Sequence, residues 1–254
     1  MPSATVSRRA LLAAPAVPWL QSRRLEITDK IPAGNILVES IGPAEALIRQ
    51  DLRDTEGDWF WWCFEARAMA PAEVRFRFTG SDVIGTRGAA VSTDGGLNWR
   101  WLGRGAVEGK SFVYDYDART PAARFAFAIP YTERDLARFL NGRQGIRTEA
   151  LCQTAKGRTA ERLRFGASSS NAAKVLLTAR HHCCECIASY AMEGLIEAAL
   201  DDRWLRTNVA FAAIPFVDKD GVEDGDQGKN RRPRDHNRDR SEERRVGKEC
   251  RSRW

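Results

Sequence analysis

Between residues 25 and 130 the apolar positions come in short runs that suit strands better than helices. Val74-Arg75-Phe76-Arg77-Phe78 alternates apolar with charged, the period of a strand with one buried and one wet face. Residues 59–67 (Trp-Phe-Trp-Trp-Cys-Phe-Glu-Ala-Arg) are rich in the aromatics that favour a pleated surface. Further strands are expected at 35–39, 46–49, 90–92, 99–101, 112–116 and 124–129, with Thr93-Asp94-Gly95-Gly96 as a turn. Short strands at regular spacing, separated by glycine turns, predict an antiparallel β-sandwich over residues 24–130.

The pattern changes near 129–132. Thr132 can cap a helix that carries acids in its first turn and places Leu136, Phe139 and Leu140 on one face. Strand-like 150–152 and 163–165 flank the turn Lys156-Gly157-Arg158. Residues 174–179 read as a buried strand, and 187–200 as a helix offering Ile187, Met192, Leu195 and Leu200 to a core. A second buried strand is expected at 209–215. Strand, helix, strand without alternation implies a parallel arrangement. The predicted fold class is therefore α/β: an antiparallel sandwich, then the first part of a mixed or parallel α/β domain over 131–239.

Composition is that of a globular protein, 43% hydrophobic and 29% charged, with no apolar run long enough to span a bilayer. The net charge of +6 suggests nucleic acid until it is located: eleven basic and five acidic residues at 229–254 account for all of it. A basic terminus is no basic face, so no nucleic-acid partner is expected. Six cysteines at 63, 152, 183, 184, 186 and 250 do not space as a disulfide framework. At the start, Ser7-Arg8-Arg9-Ala10-Leu11-Leu12 and the apolar stretch to Leu20 resemble a twin-arginine export signal over residues 1–23, which implies a periplasmic or secreted protein.

Of three histidines, His181 and His182 fall between the 174–179 strand and the 187–200 helix, in Ala179-Arg180-His181-His182-Cys183-Cys184-Glu185. His182 and Glu185, three apart across a strand-to-helix turn, can bring an imidazole and a carboxylate to one cation, a donor set that suits zinc. Cys183 and Cys186 form a C-x-x-C, so thiolate ligation or a redox site stands beside the reading of small buried fillers at a tight turn. Further along, Asn237-Arg238 past the end of a strand can grip a carboxylate, because guanidinium is a planar two-pronged donor.

The order Gly157-Arg158, Arg180-His181-His182-x-x-Glu185, Asp220-Gly221-Val222, Asp235-His236-Asn237-Arg238-Asp239 resembles the zinc carboxypeptidase (funnelin) family. The strand-rich segment in front makes it most similar to the branch that includes the cytosolic carboxypeptidases. The resemblance implies that His182 and Glu185 are the first two ligands of a catalytic Zn2+, that Asn237 and Arg238 bind the substrate's terminal carboxylate, and that Arg231 (or Arg232) stabilises the oxyanion. Peptide or protein C-termini are then the substrate. The same resemblance puts a third ligand, a histidine, and a general-base glutamate well downstream of Arg238, where this chain has no histidine and only Glu242, Glu243 and Glu249. The site is thus expected to be incomplete in this chain and the chain itself inactive. Residues 240–254 lack hydrophobic periodicity and resemble a translated sequencing adapter, whose start encodes Arg-Ser-Glu-Glu, so they are expected to be non-native. Two other readings use the same residues: a zinc amidohydrolase of this scaffold acting on N-acyl amino acids, and a non-enzymatic binding protein with a degenerate α/β domain.

Overall fold

In the computed structural model, residues 25–53, 55–57, 59–231 and 235–238 are described; the export-like segment and the 240–254 tail lie outside them. The alternation along β5 (Ala72–Phe78) buries Val74, Phe76 and Phe78 and leaves Glu73 and Arg77 in water. Its sheet runs β2 (Leu37–Ile41), β3 (Glu45–Arg49), β5, β9 (Ser111–Tyr116), β8 (Val107–Glu108). The facing sheet runs β1 (Leu25–Thr28), β4 (Cys63–Ala68), β10 (Ala122–Ala126), β6 (Ala90–Ser92), β7 (Arg100–Trp101). Every ladder in the sandwich is antiparallel except β3 with β5, which pair parallel from Glu45↔Arg75 to Ile48↔Phe78. Aromatics from both sheets fill the space between. Phe76 lies 5.0 Å from Phe112 and 5.1 Å from Phe125, and Trp62 stacks on Phe112 at 5.7 Å. The buried Trp62 indole N–H donates to the Val83 carbonyl at 2.8 Å, so its polar end is satisfied.

The second part is built on α1 (Glu133–Leu140) and the four-stranded sheet β11 (Ile146–Gln153), β12 (Thr159–Gly166), β14 (Val209–Ile214), β13 (Ala173–Thr178). Asp135 closes the start of α1, accepting from the Thr132 backbone N–H and hydroxyl, both at 2.9 Å. Only β13 and β14 are parallel, so the sheet is mixed: β11 and β12 form a hairpin around Gly157, whose φ of 78° suits the reversal. Leu163, Phe165, Phe211 and Phe216 pack on the inner face of α2 (Ile187–Asp201) through Met192 and Ile196, and α3 (Arg203–Asn208) leads into β14.

Two sequence expectations differ here. β13 is an edge strand among the described residues, with Leu176 51% exposed, where its apolar run suggested burial. On α2, Ile187 is 75% exposed and Leu195 48%, while Met192 is buried, because the helix is covered on one side only. An apolar side chain reports what a position could bury, not which neighbour reaches it.

α4 (Lys219–Asp224) ties the β11–β12 hairpin in place: Arg158 donates to Asp220 at 2.8 Å and to Asp224 at 2.7 Å. Burial would raise both carboxyls, but hydrogen bonds led by Arg158 for Asp220 and by Lys156 and Arg158 for Asp224 outweigh it and hold both pKa values below the ordinary aspartate range. Depressed carboxylates stabilise the fold above the unfolded-state pKa, and that contribution fades as pH falls through the folded value. Arg158→Met should therefore cost about 1–2 kcal/mol near neutral pH, with variant and parent converging as pH falls below the ordinary aspartate range. Urea unfolding in the two pH ranges checks this.

The sandwich and the second part share buried polar joints. Asn35, fully buried, donates to the carbonyls of Asp51 (2.9 Å) and Gly225 (2.8 Å) and accepts from the Asp51 N–H at 2.8 Å. The Gln227 amide pairs with both backbone groups of Trp61, at 2.7 Å each. Gly225, at φ 75°, ends α4 so close to the 33–34 turn that a Cβ would stand 2.4 Å from two carbonyl oxygens. Ala33, Trp61, Cys63 and Ala126 also pack against Cys184 and Cys186, so the sandwich abuts the turn that carries His182 and Glu185.

Candidate metal centre

Beyond Thr178 the chain turns over Arg180, a buried residue held at φ 60°. Its guanidinium reaches the carbonyls of Cys183 and Tyr131, each at 2.8 Å, and the Ser189 hydroxyl at 3.1 Å. These bonds fix the 180–186 turn from inside and offset the cost of the left-handed backbone.

On this turn His182 is buried, with Nδ1 3.2 Å from Glu185 Oε1 and Nε2 3.1 Å from Asp235 Oδ1. Asp235 is itself buried and accepts from the backbone N–H groups of Asn237 (2.8 Å) and Asn230 (2.9 Å). Burial alone would raise its pKa; these N–H donors and His182 outweigh it and keep the carboxyl below the usual aspartate value. An ionised Asp235 can only accept, so it takes the Nε2–H of His182, while the Lys229 ammonium, which can only donate, stands 3.1 Å from Nδ1 and faces its lone pair. Buried carboxylates behind an imidazole are the usual means of orienting a metal-binding histidine.

Lys229 completes the cluster. Its ammonium donates to Glu185 Oε1 at 2.6 Å, lies 3.1 Å from His182 Nδ1 and sits 5.1 Å from the ring centroid of Trp59. Burial would raise the Glu185 carboxyl, but the charge contacts around it, led by the hydrogen bond from Lys229, prevail and lower it. The site thus presents two lone-pair donors already gathered around a positive charge, a chemistry that fits a divalent cation with N and O ligands. Among the described residues no group of three or more His, Cys, Asp or Glu is placed to hold a metal.

The Asn237-Arg238 turn is bound to the same residue: Asn237 N–H donates to the Asp235 carboxylate at 2.8 Å and Arg238 N–H to its backbone carbonyl at 3.0 Å, and Arg238 is exposed. Arg231 is placed differently. Its guanidinium donates to Asp218 at 2.6 Å and Asp226 at 2.8 Å, which locks the 226–231 loop onto the start of α4. Arg232 lies outside the described residues. His181 turns aside, with Nε2 3.0 Å from the Thr178 hydroxyl. Asp235 and Lys229 were given no role by sequence reasoning. Asp235 stood within the quoted Asp-His-Asn-Arg-Asp run, but nothing local marks Lys229.

The thiols lie behind this cluster. Cys183, Cys184 and Cys186 are buried and unbonded to one another. Burial pushes all three thiols up, that of Cys184 to about 12, so they stay protonated near neutral pH. Native iodoacetamide labelling, mapped by mass spectrometry, should modify these three at least about a hundredfold more slowly than in urea.

No family model matches the chain. It is 27% identical to an uncharacterized protein of Zymomonas mobilis over 213 residues, 78% of this chain and 54% of that protein. It is 30% identical to cytosolic carboxypeptidase 6 of Caenorhabditis elegans over 138 residues, 49% of this chain and 28% of that one. The chain thus spans about half or less of the curated relatives it matches. Among solved structures it is similar to a metallo-carboxypeptidase from Pseudomonas aeruginosa (TM-score 0.69, 24% identity, 84% of this chain, 61% of that one). It is also similar to one from Burkholderia cenocepacia (TM-score 0.64, 24% identity, 80% and 58%). Sequence resemblance and architecture therefore agree: over the part it spans, this chain has the fold of the metallo-carboxypeptidases.

Proposed function

We propose that the protein is a zinc metallocarboxypeptidase that removes residues from the C-termini of peptides or proteins. The observation that carries this reading is Asp235, whose one carboxylate orients His182 and holds the turn bearing Asn237 and Arg238. A metal-ligand pair and a carboxylate grip are thereby assembled around a single buried group. When bound, zinc supplies Lewis acidity and a water of lowered pKa. His182 and Glu185 hold it, and Asp235 keeps the imidazole in the ligating tautomer. Asn237 and Arg238 receive the terminal carboxylate and so align the last peptide bond with the metal. The Pseudomonas aeruginosa neighbour was solved with (2-guanidinoethylmercapto)succinic acid, a dicarboxylic ligand of the kind such a grip accepts.

The oxyanion contact falls, by the family resemblance, to Arg231 or Arg232; Arg231 would have to release Asp218 and Asp226 to make it. The same resemblance also calls for a third ligand, a histidine, and a general-base glutamate, so turnover is proposed for the protein with both of these in place. With residues 7–20 read as an export signal, that protein works in the periplasm or outside the cell. Binding of one peptide with a free or an amidated C-terminus to the zinc-loaded chain tests the reading. The free acid should bind at least about tenfold tighter, and Arg238→Met should erase the difference. Equal binding of both peptides contradicts it. Preferential turnover of N-acyl amino acids over peptides would favour the amidohydrolase reading instead.

A further inference from the structure

Two atoms that both carry lone pairs, His182 Nδ1 and Glu185 Oε1, stand 3.2 Å apart. With the imidazole proton committed to Asp235 on the other nitrogen, nothing within the pair itself holds them together. The Lys229 ammonium does, at 2.6 Å from one and 3.1 Å from the other. It stands where a cation shared by the two donors would stand.

The lysine is delivered there by its backbone. Gly228, at φ 72°, presses on the His182–Cys183 backbone so closely that a Cβ would lie 2.7 Å from Cys183 N. Asn230, at φ 47°, is pinned by its N–H to Asp235. Both neighbours of Lys229 are thus fixed in left-handed conformations against the site, and its side chain has only a short way to reach. On the far side lies Trp59, in the sandwich loop between β3 and β4, with its indole N–H on the Glu56 carbonyl at 2.8 Å. Thr55 of that loop bridges to Arg231, so the sandwich supplies one wall of the pocket around the ammonium.

We propose that Lys229 is a tethered placeholder: its ammonium occupies the metal position between His182 and Glu185 and must swing out, along the face of Trp59, for a divalent cation to bind. This rests on reading His182 and Glu185 as metal ligands, and adds that the chain carries its own competitor for their metal. Two cations cannot share donors this close, so every metal-binding event includes expulsion of the lysine. If the ammonium holds the position in nine molecules of ten, the apparent zinc affinity is about tenfold weaker than the intrinsic one.

The test uses Zn2+ alone, titrated against a chromophoric chelator, with the full chain and its Lys229→Met and Lys229→Arg variants. Lys229→Met should bind zinc about tenfold tighter than the parent, while Lys229→Arg, which keeps a cation on the tether, should not. A second measurement needs no variant: acetylation of Lys229 in the parent chain, mapped by mass spectrometry, should speed up several-fold when zinc is added. A folded Lys229→Met variant with unchanged or weaker zinc affinity overturns the inference, as does a Lys229 acetylation rate indifferent to bound zinc. Those results leave the His182–Glu185 ligand pair standing. If neither parent nor Lys229→Met binds zinc, the ligand pair fails and the inference goes with it.

Discussion

His182→Ala is expected to lower zinc affinity by at least about a hundredfold, the largest loss any single substitution at the site should produce. The imidazole offers a nitrogen lone pair beside Glu185, and it is buried and oriented from behind by Asp235. Its removal leaves Glu185 with Lys229 alone and deprives a buried carboxylate of its Nε2–H partner. Asp235→Asn keeps the shape but exchanges an anionic acceptor for an amide, and should cost about 10–100-fold. Chelator competition on the purified variants reads both. Unchanged affinity in His182→Ala would move the metal elsewhere, with the thiols of the same turn first in line.

On the stability side the greatest loss is expected from Trp62→Ala, about 3–5 kcal/mol. Trp62 is fully buried, with its ring 4.9 Å from Phe78, 5.7 Å from Phe112 and 6.0 Å from Phe64, centroid to centroid. Truncation opens a cavity at the meeting point of both sheets and also orphans the Val83 carbonyl, which loses its indole donor. That sum is a large share of the roughly 5–15 kcal/mol by which such domains are stable. Trp204, 63% exposed on α3, is the control: its alanine variant should stay within about 0.5 kcal/mol of the parent in the same urea titration.

What could be read from the sequence, and what could not, follows from how far apart the determinants lie. The strands of the sandwich carry their own period, so β5 and β9 are legible from five residues each, 74–78 and 112–116. Pairing was not: β3 runs parallel to β5 although the segments are near in sequence, because ladder direction depends on a chain path that local alternation does not encode. β13 and the outer face of α2 misled for a related reason, since apolar residues announce burial before any partner is specified. At the site, His182 and Glu185 are three residues apart on one turn and could be read together. Asp235 comes from 53 residues away and Lys229 from 47, brought in by a loop whose glycine and asparagine conformations no pattern displays. Arg231 has the right chemistry for an oxyanion, but its two aspartate partners lie 13 and 5 residues off in a fold-dependent geometry.

One imidazole and one carboxylate, at 182 and 185, are proposed to meet on a shared metal ion. X-ray absorption at the zinc edge of the zinc-loaded chain tests it most directly. A nitrogen and oxygen shell at about 2.0–2.2 Å with imidazole scattering, lost in His182→Ala, is the predicted result. A sulfur shell at about 2.3 Å would put the metal on Cys183, Cys184 or Cys186 and contradict the account.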